Sequence, residues 1–335
     1  MEIKEAIKKV MDKCNLNEDE MADVINQIMR GETTSAQKGG FLVGLKSKGE
    51  TPEELLGAAR ALRSHTIKLD IPDNNNLIDC CGTGGDGANT FNISSAVAIV
   101  VAAGGVKVAK HGNRAVSSKS GSLDVLGALG IKTDLTKEES EKIIGDKGMS
   151  FLLATSYNGG MKNVGPERLE LGCRTIFNML GPLLNPAPIT GQLMGVYDES
   201  LLETVGSVLL GLGLHRAMVV HGNDGLDEIT TTTTTTVCEI NNGKTKKYTI
   251  NPLDYGIEFA KPEDLIGGDP KFNAEIILNI LKGEKGPKRD IVVLNAAAGL
   301  YVGKIVNSLD EGVQLAKELI DSNKAYNKYL ELANN

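Results

Sequence analysis

Apolar residues in the first seventy positions recur at helical spacing. Ile3, Ile7, Val10, Met11 and Cys14 share one face. A second stripe, Met21, Val24, Ile25, Ile28 and Met29, follows Asn17, whose side chain can cap a helix with Glu20 closing the capping box, and Gly31 ends it. The pattern predicts a third helix over residues 35–48, stopped by Gly49, and a fourth with Thr51 as cap, Pro52 at its first position and Glu54 in the box. From Asn76 the period changes. Short apolar runs at 77–81, 106–109, 150–154, 216–221, 247–251 and 290–295 alternate with helical patterns such as 93–103, which predicts a sheet with helices on both faces. Residues 169–180 read as helix again, broken at Gly181-Pro182, so the chain is expected to return to the helical part before rejoining the sheet. The fold class is therefore α/β. A small all-helical N-terminal lobe comprises residues 1–70 with a returning segment at about 169–188, and a large α/β domain of 71–168 and 189–335 has a central mixed, mostly parallel sheet flanked by helices.

The most informative stretch leaves the first apolar run. Gly82, Gly84, Gly85 and Gly87 let a turn take positive φ and bring backbone N–H groups against an anion. The helical pattern after it adds its N-terminal dipole and the hydroxyls of Ser94 and Ser95. Gly82, Gly84 and Gly87 also satisfy the dinucleotide fingerprint, which requires an acidic residue after the next strand to hold a ribose hydroxyl. That strand instead runs into Lys110-His111-Gly112-Asn113-Arg114, a cationic end suited to further phosphate. Asp227 and Glu228 are adjacent carboxylates, the oxygen ligands a hard divalent cation prefers. The threonine run 230–236 beyond them reads as a β-branched strand or loop.

Composition narrows the classes. A chain of 335 residues, 41% hydrophobic and with 39 glycines, can bury a large core and is turn-rich. No stretch approaches the ~20 unbroken apolar residues of a membrane span, and the acidic start is unlike a signal peptide, so a cytoplasmic protein with no membrane partner is expected. A net charge of −7 argues against a nucleic-acid surface. Five cysteines without C-x-x-C spacing read as buried thiols.

Four ordered motifs carry a family likeness. D-x-x-G-T-G-G-D-G from Asp79, N-x-S-S from Asn92, K-H-G-N-R-A-V-S-S-K-S-G-S from Lys110, and R-L-E-L-G-C-R-T-I-F-N-M-L-G-P-L-L-N-P from Arg168, with Gly225-Leu226-Asp227-Glu228 beyond, resemble the anthranilate phosphoribosyltransferase family over essentially the whole chain. The resemblance implies Mg2+-dependent transfer of the phosphoribosyl group of 5-phosphoribosyl 1-pyrophosphate to the amine of anthranilate, with inversion at the anomeric carbon, in tryptophan biosynthesis. It also implies an active site between lobes and a homodimer formed through the helical lobe. For the donor it implies Gly82, Gly85, Asp86, Thr90, Asn92, Ser94, Ser95, Lys110, His111, Gly112, Asn113, Arg114, Ala115, Val116, Ser117, Ser118 and Ser122. For the acceptor it implies Gly82, Asn113 and Arg168, and for the metal Ser94, Asp227 and Glu228.

A guanidinium fork suits the ring carboxylate of anthranilate, and Arg174 is the rival to Arg168 for that task. The arylamine is neutral and nucleophilic at pH 7, so no obligatory acid or base is assigned, His111 included. One departure stands out: the family's Y-H-P-A-M-K is here Tyr157-Asn158-Gly159-Gly160-Met161-Lys162, which bears on the acceptor tunnel. Two alternatives remain, a pyrimidine nucleoside phosphorylase, disfavoured by the Asp227-Glu228 pair, and a non-catalytic nucleic-acid-binding relative, disfavoured by the acidic charge and intact motifs.

Overall fold

The computed structural model describes residues 1–113 and 120–334. Four helices open the chain: α1 (Ile3–Met11), α2 (Glu18–Met29), α3 (Ser35–Lys48) and α4 (Pro52–Ser64). Their starts follow the local capping chemistry. Asn17 accepts from the Glu20 N–H, Thr34 from Gln37 and Thr51 from Glu54, and each third residue reaches back to the cap. Gly31 lies one residue past the α2 cap, in the left-handed region. Glu54 is fully buried and also accepts from the Leu16 N–H and Lys48 Nζ, so one capping carboxylate ties three segments together.

The sheet has seven strands: β1 (Leu77–Gly82), β2 (Lys107–Gly112), β3 (Met149–Leu153), β4 (Gly191–Gly195), β5 (Arg216–Gly222), β6 (Thr235–Asn241) and β7 (Lys244–Ile250). Their order is β3-β2-β1-β4-β5-β6-β7. The first five are parallel, and β6 and β7 add antiparallel to the β5 edge. Asn242 and Gly243, both at positive φ, make the tight β6–β7 turn. Helix α5 (Ile93–Ala103) is apolar on nearly every face because it is enclosed in the core with the helix Pro287–Val302. Strand order reverses between β1 and β4, which places a crevice at their carboxyl ends.

Three expectations are corrected. Residues 290–295 belong to the helix Pro287–Val302. Its Ile291-Val292-Val293-Leu294 run is continuous because the helix is buried all round, and such a run carries no period to separate helix from strand. Strand β4 went unpredicted, since glycines bound it and Gln192 interrupts its apolar face. The stretch 169–180 is two short helices, Gly165–Leu171 and Phe177–Leu180, separated by Gly172 in the left-handed conformation. The second α-helix ends at Leu180 before Gly181-Pro182, as expected, and a 3-10 turn follows over Gly181–Leu184. Of the threonine run, Thr235 and Thr236 enter β6 and the rest form its approach loop. Ile176, Phe177, Leu180 and Leu183 pack in one cluster with residues of α1 to α4.

Candidate active site

The glycine loop leaves β1 and lines a cavity of about 730 Å3. Gly84 and Gly85 take φ of 69° and 81°, where a side chain would be strained. Gly82 is needed for a different reason: a Cβ there would sit 2.4 Å from Asp227 Oδ2. That oxygen accepts the Gly84 N–H at 2.7 Å, so the carboxylate pair is docked directly under the loop. Thr90 is fixed by a bridge to Ile266, and Asn92 Oδ1 accepts from Asn273 at 2.9 Å and from Ser120 Oγ at 3.1 Å.

Lys110 extends along β2 and is buried. Its ammonium donates to the Cys80 carbonyl and, at 3.0 Å, to Ser94 Oγ at the start of α5. Ser94, Gly85, Asp86, Gly112, Asn113 and Ser122 all line this cavity. Ser95 does not; it is fully buried in the core and its hydroxyl has no partner among the described residues. Arg114, Ala115, Val116, Ser117 and Ser118 lie outside the described residues.

Asp86, Asp227 and Glu228 line the same cavity. Burial pushes the Asp227 carboxyl up to about 7, with repulsion from Asp86 adding to it. Burial and then Asp227 push Glu228 up to about 8, and Lys110 works in the opposite direction. Carboxylates held together at this cost in repulsion fit a hard divalent cation. Among the described residues no three acidic, histidine or cysteine side chains stand ready to hold a metal by themselves, so substrate oxygens would have to complete the shell of an ion here.

A second cavity, of about 590 Å3, adjoins the first and shares Thr83, His111, Asn113 and Asn178 with it. Arg168 reaches it from the helix Gly165–Leu171, its guanidinium 5.5 Å from the Phe177 ring. The Arg168 Nε is buried without a partner among the described residues, and burial depresses the guanidinium's pKa, so it is a cation lacking a counter-charge. The neighbouring Glu167 does not pair with it. Glu167 accepts from Lys38 at 2.6 Å and Ser35 at 2.7 Å, fastening this helix to α3. Gly82 lines the first cavity only; Thr83 occupies the junction.

His111 lies at that junction, held well below its usual range, at about 4, by burial and then by Lys110. Its Nε2 is 3.3 Å from Asn158 Nδ2, a backbone bond to Gly181 engages the ring again, and Thr66 Oγ1 donates to Asn158 Oδ1 at 2.5 Å. Asn158 therefore links the end of the helical lobe to a neutral imidazole at the junction. Arg174, the rival cation, does not reach the second cavity. It stacks on Tyr197 at 3.8 Å, donates to the Gly85 carbonyl and lines the first cavity. Thr83, Asn178 and Tyr197 had no distinguishing local signal, although Thr83 and Asn178 sit inside the recognised motifs.

These features define a class. Residues 74–326 match the glycosyl transferase family a/b domain and residues 4–66 its helical bundle domain. The chain is 62% identical over 333 residues to anthranilate phosphoribosyltransferase of Clostridium beijerinckii, covering 99% of this chain and 98% of that relative. The Thermus thermophilus anthranilate phosphoribosyltransferase superposes with a TM-score of 0.93 at 41% identity, covering 98% of both chains. The Saccharomyces cerevisiae enzyme in complex with PRPP and Mg superposes with a TM-score of 0.90 at 28% identity, covering 98% of this chain and 96% of that one. The chain belongs to the anthranilate phosphoribosyltransferase family.

Proposed function

We propose that the two joined cavities are the donor and acceptor halves of one active site. The protein transfers the phosphoribosyl group of 5-phosphoribosyl 1-pyrophosphate to the amine of anthranilate, giving N-(5-phosphoribosyl)anthranilate and pyrophosphate in tryptophan biosynthesis. The observation that carries the assignment is the junction. A phosphate-type glycine loop with Lys110 on one side and an unpaired guanidinium on the other share Thr83, His111, Asn113 and Asn178. The yeast relative's complexes with PRPP and Mg and with 4-fluoroanthranilate support the choice of substrates.

On this reading the loop N–H groups, the N-terminus of α5 and Lys110 bind and orient the donor. Asp227, Glu228 and Ser94 would hold Mg2+, which supplies charge neutralisation for the departing pyrophosphate. Arg168 orients the anthranilate carboxylate so that the neutral amine faces the anomeric carbon. The C–N bond forms as the C–O bond to pyrophosphate breaks, and the proton on the new ammonium nitrogen passes to water or to the released pyrophosphate, with no protein base required. His111 is neutral with its ring held by Asn158 and Gly181, so it acts as a wall and not as a proton carrier.

We further propose that residues 1–70 with 169–188 act as the helical lobe and that this lobe carries a homodimer contact; the exposed Met11 and Val43 support the latter. A cytoplasmic setting is supported by five unpaired cysteines. Among the described residues no helix is long and apolar enough to cross a membrane. The test is pyrophosphate release from the donor, which should require both anthranilate and Mg2+. Equal release without anthranilate would overturn the assignment.

A further inference from the structure

Arg168 and Arg174 are six residues apart, yet they line different cavities. The left-handed turn at Gly172 separates the Arg168 helix from the segment that carries Arg174 toward the glycine loop. There the guanidinium carbon lies over the Tyr197 ring, 3.8 Å from its centroid, and Nη2 donates to the Gly85 carbonyl. The platform is itself tied to the loop's start, since the Tyr197 N–H donates to Thr83 Oγ1 at 3.2 Å and the Thr83 N–H to the Gly195 carbonyl at 3.0 Å. Among the described residues no carboxylate pairs with Arg174.

We propose that Arg174 is a positioning residue specific to the donor: clamped between Tyr197 and the Gly85 carbonyl, it fixes the loop's left-handed turn and adds positive charge beside the donor's phosphates. Two physical needs meet here. A loop with glycines at 84, 85 and 87 has many conformations to lose, so holding it in place before the ligand arrives removes an entropic cost from binding. A bare carbonyl oxygen beside a polyanion is repulsive, and a guanidinium bonded to it reverses the sign of that contact.

The inference rests on the donor reading of the glycine cavity, and one set of assays separates the two. Steady-state kinetics on Arg174→Ala should show the KM for the donor raised at least tenfold, with the KM for anthranilate within twofold of the parent. Arg174→Lys keeps the charge but not the planar fork, so it should recover only part of the loss. Tyr197→Leu removes the platform alone and should shift the donor KM in the same direction. Added guanidinium ion should restore donor affinity to Arg174→Ala, which a merely misfolded variant would not permit. Should Arg174→Ala fail to fold, Tyr197→Leu decides by the same criterion. A donor KM within twofold of the parent, or an anthranilate KM that rises in parallel, overturns the inference. Lys110→Met and Arg168→Ala in the same assay report on the donor and acceptor reading. If they separate the two substrates while the Arg174 variants do not, the inference alone falls.

Discussion

Replacing Arg168 by alanine tests the acceptor site most directly, and the structure sets the size of the effect. The guanidinium is half-buried, its Nε has no partner among the described residues, and Glu167 is occupied by Lys38 and Ser35, which suits a cation available to a ligand. A charge-assisted hydrogen bond contributes about 1.5–3 kcal/mol. Taking that range for the whole pair, because of the site's partial exposure, gives roughly a ten- to hundredfold change in affinity. The variant should fold: the Phe177 contact it loses is worth about 0.5–1 kcal/mol, and an unsatisfied buried N–H disappears with it. Initial rates with each substrate varied in turn should therefore give an anthranilate KM raised at least about tenfold and a donor KM near the parent value. Equal weakening of both substrates would show Arg168 to be organising the cleft, and no effect on either would refute the carboxylate assignment.

Asp227→Asn combined with Glu228→Gln removes carboxylates that repel one another, so the unliganded melting temperature should hold or rise. Turnover should fall about a hundredfold or more and the Mg2+ requirement increase; unchanged Mg2+ dependence rejects the metal assignment. Gly82→Ala places a Cβ where Asp227 Oδ2 stands, so the carboxylate must shift and turnover should drop by roughly a hundredfold with the fold intact; full activity with an unmoved Asp227 in a crystal structure would contradict this. The pKa of His111 is depressed from 6.5 to about 4 in the folded chain, so between those values the unfolded state binds more protons. Its contribution to stability is thus complete above pH 6.5 and lost as pH falls toward 4, by on the order of 2–3 kcal/mol. Over that window His111→Gln should lose less stability than the parent in chemical denaturation, and parallel curves would refute the burial argument.

What could be read from the chain depended on how local the determining interaction is. The helical caps were legible because Asn17 with Glu20, and Thr51 with Pro52 and Glu54, act within one turn of backbone. The glycine loop was legible for the same reason. The helix Pro287–Val302 was not, because its burial on all sides erased the polar face that marks a helical period. Charge alone did not separate Arg168 from Arg174; the family resemblance pointed to Arg168. The structural reason for the difference is not local: the Gly172 turn and the Tyr197 ring, contributed from beyond β4, send them to different cavities. Gly82 looked like a flexible turn residue, whereas contact with a carboxylate 145 positions further along explains it.

The buried tie of Glu167 to Lys38 and Ser35 means that the Arg168 cavity, the proposed acceptor side, is mounted on different architecture from the glycine-loop cavity. Arg168 is fastened to α3 and Asn158 to Thr66 just beyond α4, while the glycine loop, Lys110 and the carboxylate pair grow from the sheet. A substitution in the helices or in 155–168 therefore reaches the second cavity without passing through the sheet elements that carry the glycine loop. In that sense the fold is a chassis with a separately mounted socket, and the buried Asn158 is one of the pins that hold the two together.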